Sequence, residues 1–216
     1  MYTQAVPETS RAASPLTRER LVDEALKIVD AEGFAGLSLR AVARRLGVTP
    51  MALYRYVGSS SELADLVVSR IVTDRTAETE WPHEPRAALD VLARTVVDLI
   101  REHPVLMEAY QRGGVMTPPA MHAVDRVLAA LHDGGLSPSE AMDAYVAVHC
   151  YALGFAAIAM DPTETSDRSK PDRAEYPVLA KHYNLWLTMR SNDRFLSGLA
   201  LILGAVVPGS REPRRR

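Results

Sequence analysis

Gly47-Val48-Thr49 separates two short stretches of helical apolar spacing, and this joint constrains the fold more than any other feature of the chain. On its N-terminal side Ser38 can cap a helix over 39–46, with Val42, Ala43 and Leu46 turned inward. On its C-terminal side Thr49-Pro50 opens a helix over 50–57, with threonine as cap and proline at the first helical position, where its missing N–H costs nothing. A glycine suits the joint because the chain reverses sharply there, often with positive φ. Ala43 lets the two helices approach, and Leu46, Val48 and Leu53 can fill the hub between them. The pattern is a helix-turn-helix.

Similar start and stop signals run through the whole sequence. Helices are expected over 17–32, 39–46, 50–57, 61–79, 86–102, 105–112, 118–132, 138–160, 177–186 and 192–207. Gly33, Gly47 and Gly58 end the first three. Ser59-x-x-Glu62 and Ser137-x-x-Glu140 read as capping boxes. No stretch alternates with period two and no internal repeat is present, so the fold class is all-α. The expected organisation is a flexible arm over 1–16, a helix-turn-helix domain with a connecting helix over 17–80, a larger helical domain over 81–208, and a basic, disordered tail over 209–216. The second seam is placed at Glu80-Trp81-Pro82-His83-Glu84-Pro85, where composition shifts.

Charge matters through its placement. The net charge is −2, yet residues 38–60 hold Arg40, Arg44, Arg45 and Arg55 and no carboxylate. A local basic face can bind a phosphate backbone even on an acidic body. The third helix leaves Pro50, Met51, Ala52, Tyr54, Arg55 and Tyr56 free once Leu53 and Val57 turn inward. Its leading edge is expected at base edges, with the tyrosine hydroxyls and Arg55 at phosphates or a guanine edge. Arg40 can reach a guanine or a phosphate, whereas Arg44 and Arg45 read as a solvated face.

The single cysteine, Cys150, excludes a disulfide within one chain and favours a reducing cytoplasm. Residues 1–17 contain no apolar core of a secretory signal. Residues 144–160 carry no full charge but fall short of a membrane span. They read as a buried bundle helix, apolar on all sides. No phosphate-cradling glycine loop, metal-spaced histidine set or nucleophile–base pair is visible, which argues against an enzyme. His149 and Cys150 are adjacent and point apart on a helix, so no metal site and no cofactor is expected.

Residues 16–71 resemble the DNA-binding domain of the TetR (tetracycline repressor) family. The matching residues are Ala25, Ile28-Val29, Gly33-Phe34, Leu37-Ser38-Leu39-Arg40, Val42-Ala43, Leu46-Gly47-Val48, Leu53-Tyr54-Arg55-Tyr56-Val57 and Glu62-Leu63. The run Pro50 to Tyr54 looks like the branch near the tetracycline repressor. The resemblance implies that Arg40 contacts a base or phosphate and that Thr49 caps the recognition helix on the phosphate side. It also implies that Pro50, Met51 and Ala52 face bases, and that Tyr54 and Tyr56 touch phosphate. The family commonly has a lysine just before the fourth helix. This chain has Ser60 there, still able to bind phosphate with main-chain N–H groups but lacking one counterion-releasing charge.

The remainder resembles the family's C-terminal domain through Arg101-Glu102-His103-Pro104, Glu175-Tyr176-Pro177 and the stretch Phe195 to Gly204. The implied protein is a ligand-responsive transcriptional regulator. As a homodimeric repressor it would bind a palindromic double-stranded operator and be released by a small organic effector. Ligand would shift the helices near 85–112, and the fourth helix would carry that shift to the heads. Phe155, Phe195, Leu199, Ile202, Leu203 and Val206 are the expected dimerisation residues. Met107, Tyr110, Gln111, Met116, Tyr145, His149 and Trp186, with Met121, are the expected ligand-binding residues, a mostly apolar set with a few polar groups.

Overall fold

The computed structural model describes residues 15–113, 115–159 and 170–207. Among these, ten helices and no strand are present. The chain divides into two compact units, residues 1–63 and 64–216, with the division inside the fourth helix. The expected tail, and all of the expected arm except Pro15 and Leu16, lie outside the described residues.

In the smaller unit α1 spans Arg18–Gly36, capped by Thr17, whose hydroxyl accepts from the Arg20 N–H. Gly33 breaks it with φ +68°, and Phe34 then turns into the core. The second helix, α2 (Leu39–Leu46), is capped by the Ser38 hydroxyl at its start and closed by Gly47 in the left-handed region at φ +69°, ψ +29°. Leu21, Ile28, Val42 and Leu53 are essentially inaccessible and form the hub. Each such side chain contributes roughly 1.5–3 kcal/mol of burial.

The third helix is shorter than its spacing predicts. Regular α3 covers only Pro50–Leu53, followed by a turn over 54–56. Tyr54 opens to ψ −12°, and both the Tyr56 and Val57 N–H groups donate to the Leu53 carbonyl. The last turn tightens because Val57 is pulled into the core, 2% exposed. The next helix, α4 (Ser60–Glu78), starts with the Ser59 hydroxyl accepting from the Glu62 N–H at 3.0 Å. The Glu62 carboxylate reaches back one residue further than a capping box requires, to the Gly58 N–H at 2.8 Å.

In the larger unit α5 (Pro85–Glu102) is the central helix, with Glu84 accepting from the Arg86 and Ala87 N–H groups at its start. It packs most extensively against α8 (Pro138–Ala159) and also meets α6 (Leu106–Gln111), α7 (Pro118–Asp133) and α10 (Asn192–Val206). Arg75 of α4 pairs with Glu102 of α5. The start of α8 is a reciprocal capping box, Ser137 and Glu140 each bonding the other's main-chain N–H. The helix is long and apolar enough to cross a membrane by length and composition. Ala141, Ala144, Val148, Ala152, Phe155 and Ala156 are nonetheless buried inside the unit. In contrast, α9 (Pro177–Trp186) buries none of its residues.

Four expected dimerisation residues are core instead. Phe155, Phe195, Leu199 and Leu203 are at most 9% exposed within one chain, and Ile202 and Val206 are half-buried. The reason is an aromatic cluster between α8 and α10. Tyr151 stacks on Phe195 with centroids 5.7 Å apart, and Phe155 lies 5.0 Å from Phe195. The Tyr151 hydroxyl is within bonding distance of the Phe195 and Arg194 carbonyls at 2.9 and 3.3 Å. A Cβ added to Gly198 would fall 2.2 Å from that hydroxyl oxygen.

Candidate nucleic-acid interface and ligand cavity

The smaller unit presents its polar and large apolar side chains on the recognition segment outward. Met51 is 75% exposed and Tyr54 53%, although both flank the inaccessible Leu53. Arg40, Arg44, Thr49, Pro50 and Arg55 are exposed, and Ala52 is half-buried. Arg45 is tied to Glu24 at 3.3 Å. Lys27 and then Arg45 hold the Glu24 carboxyl below the usual carboxylate range. Thr49 stands at the cap position of α3 but makes no side-chain cap bond, which leaves its hydroxyl uncommitted.

Two expected contacts are placed differently. The Tyr56 hydroxyl donates to the Leu16 carbonyl at 2.7 Å, which spends its only proton before any phosphate is met. Its ring instead lies 5.7 Å from the Arg55 guanidinium carbon, in cation–π range. Ser60 is exposed at the first position of α4, but the neighbouring Gly58 N–H is already held by Glu62.

Within the larger unit lies a cavity that is partly open to solvent. Its wall takes Leu92, Thr95, Val96, Leu99 and Ile100 from α5, and Val72 and Thr76 from α4. Trp81, Leu106, Tyr110 and Val115 continue it, and Ala120, Ala123 and Val124 of α7 with Tyr145 and His149 of α8 close it. The ring of Tyr145 stacks on His149 at 5.3 Å and 20°, and Tyr110 is tilted against the same imidazole at 5.9 Å. The Tyr145 oxygen lies 3.5 Å from His149 Nδ1, the outer limit of a hydrogen bond. Burial lowers the pKa of His149 and raises that of Tyr145. Burial, with Tyr145 adding to it, pushes Tyr110 well above the ordinary phenol range. Burial thus favours the uncharged form of all three groups.

Residues 81–206 match the family described as "Tetracyclin repressor-like, C-terminal domain", and residues 21–67 match "Bacterial regulatory proteins, tetR family". The chain belongs to the TetR family. It is therefore a DNA-binding transcriptional regulator of the helix-turn-helix type. It is 36% identical over 185 residues to the transcriptional repressor DrrR1 of Streptomyces coeruleorubidus, covering 80% of this chain and 66% of that one. It thus spans just under two thirds of that repressor's length. The class C tetracycline repressor of Escherichia coli is more distant, at 25% identity over 208 residues, 88% of this chain and 90% of that one. The structure of the TetR-family protein ActR of Streptomyces coelicolor in complex with actinorhodin superposes with a TM-score of 0.75. Its sequence is 26% identical, and the match covers 92% of this chain and all of that one.

For this TetR-family member the cavity gathers three of the expected ligand residues, Tyr110, Tyr145 and His149, and leaves five off its wall. Gln111 follows Tyr110 on α6 and is rotated out to solvent; Met107 is half-buried and away from the wall. Met116 is 62% exposed and Trp186, on the unburied α9, 45%. Met121 is exposed as well. The largest group of wall residues that sequence reasoning missed comes from α5. One signal was available there: Thr95 is the sole hydroxyl on an inner face otherwise made of Leu92, Val96 and Leu99.

Proposed function

We propose that the protein is a repressor that grips a palindromic operator as a homodimer and lets go when a small organic effector fills the cavity. What carries the DNA part is the recognition segment. An inaccessible Leu53 anchors it, while Met51, Tyr54 and Arg40 stand in solvent without a structural use. Arg40 and Tyr54 are assigned to base edge and phosphate, and Pro50, Met51 and Ala52 to base edges. Thr49, Arg55 and Ser60 are assigned to the backbone. Tyr56 is assigned to bracing the segment against the root of α1.

The pairing face is assigned to the outward sides of α8 and α10. Met142, Val146 and Ile158 of α8 are about 45% exposed, and Leu201 of α10 is 78% exposed. Two copies joined there would present two heads to half-sites about one helical turn apart, roughly 34–36 Å. Effector release requires tighter binding of the ligand to the conformer that does not fit DNA. Val72 and Thr76 place α4 on the cavity wall, so a ligand that displaces them moves the helix that begins at Ser60. ActR in complex with actinorhodin supports an organic effector. The protein acts by binding alone, without catalysis, in the cytoplasm.

Selection of bound duplexes from a random pool at fixed salt tests this reading. A twofold-symmetric site with a steep salt dependence is expected. Recovery of no preferred sequence would reject it.

A further inference from the structure

Among the described residues, the cavity wall carries no Asp, Glu, Lys or Arg. An ionised group entering such a site would shed its hydration without meeting a counter-charge, which is strongly unfavourable. The polar groups that are present have an uneven balance. Thr73, Thr76 and Thr79 each donate their hydroxyl to the carbonyl four residues back, at 2.7 to 2.8 Å. Thr95 sits equally within a helix and is only 9% exposed, yet its hydroxyl has no partner among the described residues. The half-buried Tyr110 and Trp81 likewise have no hydrogen-bond partner for their hydroxyl and indole N–H among the described residues. Indole nitrogen can only donate. The Tyr145 hydroxyl and His149 Nδ1 face each other at 3.5 Å, and either can be the donor. The walls near these groups are rings, against which a flat body can stack.

We propose that the cavity takes an uncharged molecule with a flat apolar body and carbonyl or ether oxygens on its rim, which accept from Thr95 and Tyr110. This rests on the reading of the cavity as the effector site. A donor that a ligand covers without supplying an acceptor is costly, so ligands that supply the acceptor gain over those of the same shape that do not.

Four naphthalenes of one size separate the possibilities: 2-acetylnaphthalene, 2-ethylnaphthalene, 2-naphthoate and 2-(aminomethyl)naphthalene. Equilibrium dialysis against the full chain at neutral pH gives an affinity for each. The acetyl compound is expected to bind at least about tenfold more tightly than either charged one, which corresponds to 1.4 kcal/mol. Thr95→Val and Tyr110→Phe, checked for unchanged thermal unfolding, should each weaken the acetyl compound several-fold while leaving the ethyl compound nearly unaffected. A charged probe that binds as well as the acetyl compound overturns the proposal while the effector site stands. So does an acetyl affinity indifferent to both substitutions. Absence of binding by all four rejects the effector site itself, and the proposal with it.

Discussion

Tyr54 and Tyr110 are the same side chain in opposite settings. In the smaller unit Tyr54 stands 53% exposed beside a residue that is fully buried. In the larger unit Tyr110 is folded into a cavity wall, where burial suppresses its ionisation. The first is placed by its immediate neighbours in sequence: Thr49-Pro50 starts the segment, Leu53 and Val57 anchor it, and the tyrosine is left over. The second is placed by residues from α4 to α8 that are distant in sequence. A surface for a large rigid partner can thus be built by a short local motif. A compartment for a small one needs many elements to agree.

The contrast is most exposed to test at Leu53 and Met51, two residues apart. Leu53→Ala should destabilise the fold by about 2–5 kcal/mol, since it empties a site with no solvent access. Met51→Ala should change stability by no more than about 0.5 kcal/mol, as expected for an exposed side chain, and lower operator affinity. Denaturant titration of both proteins checks this, and equal losses of stability would erase the distinction. Next in size, Arg40→Ala and Tyr54→Ala should each weaken specific operator binding about tenfold, within the roughly 1–3 kcal/mol of a good base contact, with folding intact. Duplex titration at fixed salt reads this.

Gly47→Ala comes third. A Cβ there meets nothing within 4 Å, so its cost is purely conformational, from φ +69°. About 1–2 kcal/mol is expected, seen as a lower midpoint of thermal unfolding. The smallest effect is in the larger unit. Burial lowers the His149 pKa, so the unfolded chain holds the proton more tightly than the folded one. The stability linked to neutral His149 is complete above about pH 6.5, the unfolded value, and declines as the pH falls below it. His149→Gln should flatten that part of a stability–pH profile, and an unchanged slope would mean that the imidazole is solvated.

How much of this was legible in the sequence follows the same division. Ser38, Gly47, Thr49-Pro50 and the Ser137–Glu140 box act over three or four residues, and the helices start and stop where they indicate. The third helix ended early because Val57's pull toward the core is a tertiary effect. Tyr56 was legible as a free tyrosine, whereas its bond to Leu16 spans 40 residues and leaves no periodic trace. Phe195, Leu199 and Leu203 were recognisable as one apolar face of α10. Which neighbour that face meets, the same chain or a second copy, is not encoded in spacing when both sides of α8 are apolar. The cavity was half legible: tyrosine and histidine four apart announced α8, while Thr95 was hidden among the aliphatics of α5.

The Tyr151 hydroxyl, lodged against the α10 backbone over the bare Cα of Gly198, sets the roll of α10 about its own axis. That roll decides which side chains look away from the bundle, and so Leu201 and Gly204 are at the surface while Leu199 and Leu203 are not. One methyl group at position 198 would collide with the phenol oxygen, so that either the ring or α10 would have to give way.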